Sequence, residues 1–189
     1  MHSAQHVRDP SRARAVAERR GRRLLLPLLA FLASGGLGLL GGFALGIFVY
    51  PFWFLTGVAS EAIPAPEAQR LVATGEFIHA NPSDPIHWGT GQVRVLRHEN
   101  GAHLIHLEES FEVGPGPAFH VYLVDHPTVR SGGDFERSEM VDLGRLKAFK
   151  GSQNYAVPEG IDPARYRSVV IWCKQFSVLI SPATLQPAT

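Results

Sequence analysis

The feature that most constrains this chain is a stretch without one charged side chain, from Leu24 to Ser60. Its centre reads LLLPLLAFLASGGLGLLGGFALGIFVYPFWFL. About 20 apolar residues in a helix cross the hydrocarbon core of a bilayer, and this run is longer. A helix buried in a soluble core carries an apolar stripe, whereas this segment is apolar on every face. The reading is a single transmembrane α-helix within residues 24–56. Tyr50, Trp53 and Phe54 stand at its far end, where amphipathic rings favour the headgroup region.

Charge gives the span a direction. Seven arginines between Arg8 and Arg23 meet only Asp9 and Glu18, so the tail of residues 1–23 carries about +5, while the whole chain is formally +1. Basic flanks stay on the cytoplasmic side. The tail is therefore expected inside the cell membrane and the C-terminal part outside it. Two export readings compete: a signal peptide cleaved near Val58-Ala59-Ser60, and a twin-arginine signal at Arg19-Arg20. A signal peptide's apolar region is only about 7–15 residues long, which favours an uncleaved anchor. The mildly acidic remainder excludes nucleic acid as a partner, because phosphate contacts need clustered Lys and Arg.

Within the anchor, Ser34, Gly38, Gly42 and Gly46 recur every four residues. Small residues on one face let two helices approach closely in lipid, so Gly38, Gly42 and Gly46 are the expected face of a homodimer. The anchor contains no histidine and cannot ligate haem as a cytochrome bundle does.

Residues 57–69, with Pro64 and Pro66, read as an extended linker. Residues 70–186 read as one mainly β domain. Val93 and Val95 alternate with polar neighbours, and so do Phe119, Val121 and Leu123 with His120 and Tyr122; period two marks half-buried strands. His103 to Val113 is a further extended segment. Ser168 to Ile180 reads as one strand buried on both faces, or as two with a break near Lys174. Glu99-Asn100-Gly101, Gly114-Pro115-Gly116-Pro117 and Ser131-Gly132-Gly133 are turns. No helical periodicity follows the anchor, and the expected architecture is an antiparallel β-sandwich-like fold.

The chemistry-bearing candidates are few. Cys173 is the single cysteine, so no intrachain disulfide can form and no cysteine-rich zinc or iron–sulfur site can exist. It reads either as a redox thiol or soft ligand, or as a small buried hydrophobe. His120 reads either as a ligand or as a hydrogen-bonded strand histidine. A Cys173–His120 nucleophile pair would need the base within hydrogen-bond reach of the thiol. His103 and His106 fall on opposite faces of a strand and no metal site is expected. Blue copper fails, since neither His nor Met follows Cys173, and no C-x-x-C-H exists for covalent haem. A noncovalent haem held by His120, Met140 or Cys173 is allowed but nothing indicates it. Neither a G-x-S-x-G elbow nor a phosphate loop occurs, which favours a non-catalytic redox or binding module over an enzyme.

Taken in order, the segments Gly75-Glu76-Phe77, Leu107-Glu108-Glu109-Ser110-Phe111-Glu112-Val113, Gly116-Pro117-Ala118-Phe119-His120-Val121-Tyr122-Leu123, Gly151-Ser152-Gln153-Asn154-Tyr155 and Val169-Val170-Ile171-Trp172-Cys173-Lys174-Gln175-Phe176 resemble the DM-thirteen domain, a family often found beside DOMON domains. The resemblance spans roughly residues 70–186. It implies a β-sandwich-like domain outside the cytoplasm with a role in electron transfer or oxidative modification at cell surfaces, in which Cys173 acts as a thiol or holds a prosthetic group such as haem. His120 lies in the matching H-V-Y-L block, but the acidic residue that often precedes this histidine is replaced here by Ala118 and Phe119. DOMON and cytochrome-type companions are not part of this sequence, so the redox partner is expected to be a separate protein. The competing expectation is a binding or adhesion module with Cys173 in the core.

Overall fold

The computed structural model describes residues 31–47 and 57–188. Residues 31–47 form helix α1. Its apolar side chains, among them Phe31, Leu37, Leu39 and Phe43, are exposed. No helix among the described residues is long and apolar enough to cross a membrane. The expected 24–56 span runs at both ends into residues outside the described range, as does the whole basic tail.

The remaining residues form an 11-stranded, almost wholly antiparallel, sandwich-like sheet. The strands are β1 (Val58–Ser60), β2 (Gln69–Phe77), β3 (Gly89–Thr90), β4 (Gln92–His98), β5 (His103–Leu107), β6 (Glu112–Val113), β7 (Phe119–Val124), β8 (Met140–Arg145), β9 (Lys150–Ala156), β10 (Ser168–Cys173) and β11 (Val178–Pro187). Their order is β3-β6-β9-β5-β4-β2-β11-β10-β7-β8, with β1 added in parallel to β9. The sheet curls on itself. The β8–β9 connection returns across the core, where Phe149 packs edge-on against Phe119 of β7 and its carbonyl accepts from the Val113 amide.

Period-two alternation sorts the side chains into two apolar clusters. Val93, Val95, Ile105, Leu107, Val121, Leu123, Val169, Ile171 and Ile180 face the main core, with Phe77 and Phe111 packed edge-on. Complete burial of each such side chain contributes about 1.5–3 kcal/mol. The outer face of β7 and β10 carries a second cluster, made by Tyr122, Val124, Val170 and Trp172 with Val129 and Phe135. Hence β10 is buried along its whole length. The expected break near Lys174 is the turn between β10 and β11.

Two sequence expectations are corrected. A short helix α2 (Gly132–Glu136) stands where only a turn was read, closed by a capping box between Ser131 and Asp134. One helical turn is too short to show periodicity, yet it delivers Phe135 to the outer cluster. The 57–69 segment is also more than a linker. It contains β1 and a 3-10 turn (Pro66–Ala68). Glu61 is fixed by Lys147 Nζ at 2.8 Å and by the Asn154 amide at 2.8 Å. Burial alone would push its carboxyl up, but these donors outweigh it and hold the carboxyl below its usual range.

Candidate functional site

Cys173 ends β10, opposite Phe119 on β7 and Val178 on β11. Strand alternation turns it into the main core with Val169 and Ile171, and only 2% of its surface is exposed. Its Sγ donates to the Pro117 carbonyl at 3.1 Å. Burial pushes the thiol up, more strongly than the Phe176 and Gln175 amides pull it down. The resting group is therefore a protonated thiol, poorly nucleophilic as it stands.

Its cover is the Gly114–Ala118 loop. Gly116 is required there by close approach, because an added Cβ would run into the Phe119 ring. Ala118 has φ 50° and Ser177, in the turn beyond the cysteine, has φ 51°. Left-handed backbone at non-glycine residues costs about 1–2 kcal/mol each, so both flanks of the thiol hold some strain. Residues 174–177 are exposed, which puts the buried sulfur directly beneath a surface turn.

The structure does not bring His120 to Cys173. His120 pairs with Trp172, one residue off the cysteine register, and so looks out from the opposite face of the sheet. The cysteine–histidine nucleophile pair is thereby ruled out geometrically, and Lys174 does not activate the thiol either. Both side chains turn instead to Asp142 of β8. Its carboxylate accepts from His120 Nδ1 at 2.9 and 3.0 Å, from Lys174 Nζ at 3.1 Å, from the Tyr122 hydroxyl at 3.2 Å and from the Gly144 amide at 2.9 Å. Burial works to raise this carboxyl, but the His120, Gly144 and Lys174 donors hold it below its usual range. In turn, burial first and the Asp142 charge second push Tyr122 up to about 12.

Sequence reasoning missed Asp142. The acid that partners His120 comes from 22 residues downstream, across the β7–β8 pairing, rather than from the residue before it. A bulge that sets Asp142 opposite Tyr122 and Gly144 opposite Val121 makes the contact, and no local pattern announces it.

The haem expectation can be tested against these positions. Cys173 points into a packed core, His120 points outward, and Met140 lies at the far end of β8 opposite Val124. No two of these three converge on one site. Two open grooves, of about 320 and 530 Å³, border none of them. The residues present do not fit a haem held between them. Among the described residues no group of three or more His, Cys, Asp or Glu is gathered to hold a metal ion. His103 and His106 take opposite faces, and His106 is buried with Nδ1 bound to Asn154 Oδ1 at 2.7 Å.

A scan against family models matches residues 82–185 to Electron transfer DM13. The chain belongs to this family. No curated protein and no solved structure matches it. The matched range of the DM13 domain runs from just before β3 almost to the end of β11, leaving β1 and β2 before it. Two family-like segments now have a physical reason. In Gly151-Ser152-Gln153-Asn154-Tyr155, the fully buried Gln153 accepts from the Lys147 and Ala148 amides and from the Tyr155 hydroxyl, and donates to Ala148. In Trp172-Cys173-Lys174, the three side chains serve the outer cluster, the core and Asp142 in turn.

Proposed function

We propose that this chain is a membrane-tethered, extracytoplasmic redox module that uses the Cys173 thiol and passes its electrons to a separate partner protein. The electron-transfer description of the family supports the redox character. The charge-free run from Leu24 and the arginine-rich tail support a single-pass anchor with the N-terminus inside. The observation that carries the reading is the setting of Cys173: a lone thiol, protonated at rest, beneath a strained loop and a surface turn.

One cysteine cannot close a disulfide by itself, so an external sulfur completes its oxidation. When the cover opens, Cys173 gives up its proton and the thiolate displaces one sulfur of a disulfide-bearing partner. A mixed S–S bond forms, the partner's S–S bond breaks, and the other sulfur leaves as a thiol carrying the proton. In this scheme the domain is a stoichiometric carrier rather than an enzyme. Two anchors can associate through Gly38, Gly42 and Gly46, small residues spaced four apart along one helix face.

The competing reading is a non-catalytic binding or adhesion module with Cys173 as a core residue, favoured by the 2% exposure of that side chain. Exposing the folded full-length chain to a small aromatic disulfide separates the two. A redox thiol yields one mixed disulfide per folded chain with the near-ultraviolet signature retained. A core residue yields none until the domain unfolds, and Cys173→Ala then leaves partner binding intact.

A further inference from the structure

The outer face of β7, β8 and β10 holds an arrangement that the thiol chemistry does not use. Trp172, 5% exposed, stacks on Phe135 with ring centroids 4.1 Å apart and planes 16° apart. Phe135 meets Tyr122 edge-on at 5.1 Å. The Tyr122 hydroxyl is 3.2 Å from Asp142 Oδ2, and Asp142 is bound in turn by His120 and Lys174 at the surface. Three aromatic rings thus form a continuous column that ends in a phenol donating to a carboxylate.

Such a phenol differs from a tyrosine that merely fills a core. Loss of one electron turns it into a strong acid, and oxidation is feasible only where a base stands ready for the proton. We propose that Tyr122 is a proton-coupled one-electron redox site, with Asp142 as proton acceptor and the buried Phe135–Trp172 stack as the aromatic relay for its electron. The electron passes to a strongly oxidising one-electron acceptor, such as an organic or sulfur-centred radical. The Tyr122 O–H bond breaks, its proton forms an O–H bond on Asp142, and a neutral tyrosyl radical and a neutral carboxylic acid result. Return of one electron and the same proton restores the phenol and the carboxylate. His120, whose side chain is 20% exposed, links Asp142 to solvent protons. The protonation states suit this role: Tyr122 keeps its proton, and Asp142 stays a carboxylate at working pH. The inference shares the family's redox character but does not rest on Cys173.

The test photo-oxidises the full-length chain in detergent with a ruthenium polypyridyl and a sacrificial acceptor, and reads the radical by electron paramagnetic resonance. The expected result is a neutral tyrosyl spectrum in the parent and in Cys173→Ala, with most of that signal lost in Tyr122→Phe. Asp142→Asn, which keeps the phenol but removes the base, is expected to slow radical formation and abolish its solvent deuterium effect. A radical yield unchanged in Tyr122→Phe, or a rate and isotope effect unchanged in Asp142→Asn, overturns the proposal. Persistence of the signal in Cys173→Ala separates the fate of this site from that of the thiol.

Discussion

A thiol that donates to a carbonyl inside a core is a pH-dependent stabiliser as well as a redox group. The folded value of Cys173 is raised, so its contribution is complete below the ordinary thiol value of 9.0 and is lost as pH rises through the folded value. The melting temperature of the parent should therefore fall more steeply above pH 9 than that of Cys173→Ala, measured by circular dichroism across that range. Asp142 has the opposite sign. Its folded value is depressed, so the stability it brings is present above the unfolded value of 3.8 and is lost as pH falls through the folded one. With its side chain 33% exposed, solvent screening limits the group's worth, and Asp142→Asn should cost about 1 kcal/mol near neutral pH in urea unfolding. That difference should shrink in acid. Cys173 and His120 were legible in the sequence as isolated candidates. Their separation onto two faces follows from a one-residue step along β7 and β10, and the role of Asp142 depends on a bulge, so neither could be read locally.

Among the elements, β9 shows how much structure one short polar segment can organise. Gln153 satisfies the Lys147 and Ala148 amides and the Tyr155 hydroxyl from a fully buried position. Gln153→Ala would leave the Ala148 amide and the Tyr155 hydroxyl without their acceptor, while the Lys147 amide keeps the Tyr155 hydroxyl at 3.1 Å, and the expected loss is about 3 kcal/mol in denaturant unfolding. Gly151, at φ 90°, lies so close to the Ala59 carbonyl that a Cβ would run into it. Gly151→Ala should therefore release β1, seen as faster amide exchange at Ala59 to Glu61 while the main core stays protected. Elements with alternating β-branched residues, β4 and β7, were readable from pattern alone, whereas for Ser168 to Ile180 the pattern left one strand or two open, and the structure takes the second with its turn at Lys174. β9 was not, because Lys150, Gly151, Ser152, Gln153 and Asn154 carry no apolar alternation, and their strand identity comes from pairing with β5 and β1. α2 escaped for a different reason: its signal is one capping box.

At the scale of the whole molecule, the proposed anchor makes the sheet domain a tethered carrier with a defined side of the membrane. In right-side-out membrane vesicles, added protease should reach the domain of residues 70–186 and leave the arginine-rich tail intact. Cleavage of the tail with protection of the domain would reverse the assigned direction. The central claim is that the Cys173 cover opens without the rest of the fold. Disulfide exchange of the full-length chain at rising urea, below the unfolding midpoint, tests this most directly, because local opening exposes little surface and global unfolding exposes it all. The account predicts a slow exchange rate that is nearly independent of urea at low concentration. A rate that climbs from the outset with the full urea dependence of global unfolding would contradict it and leave Cys173 a core residue.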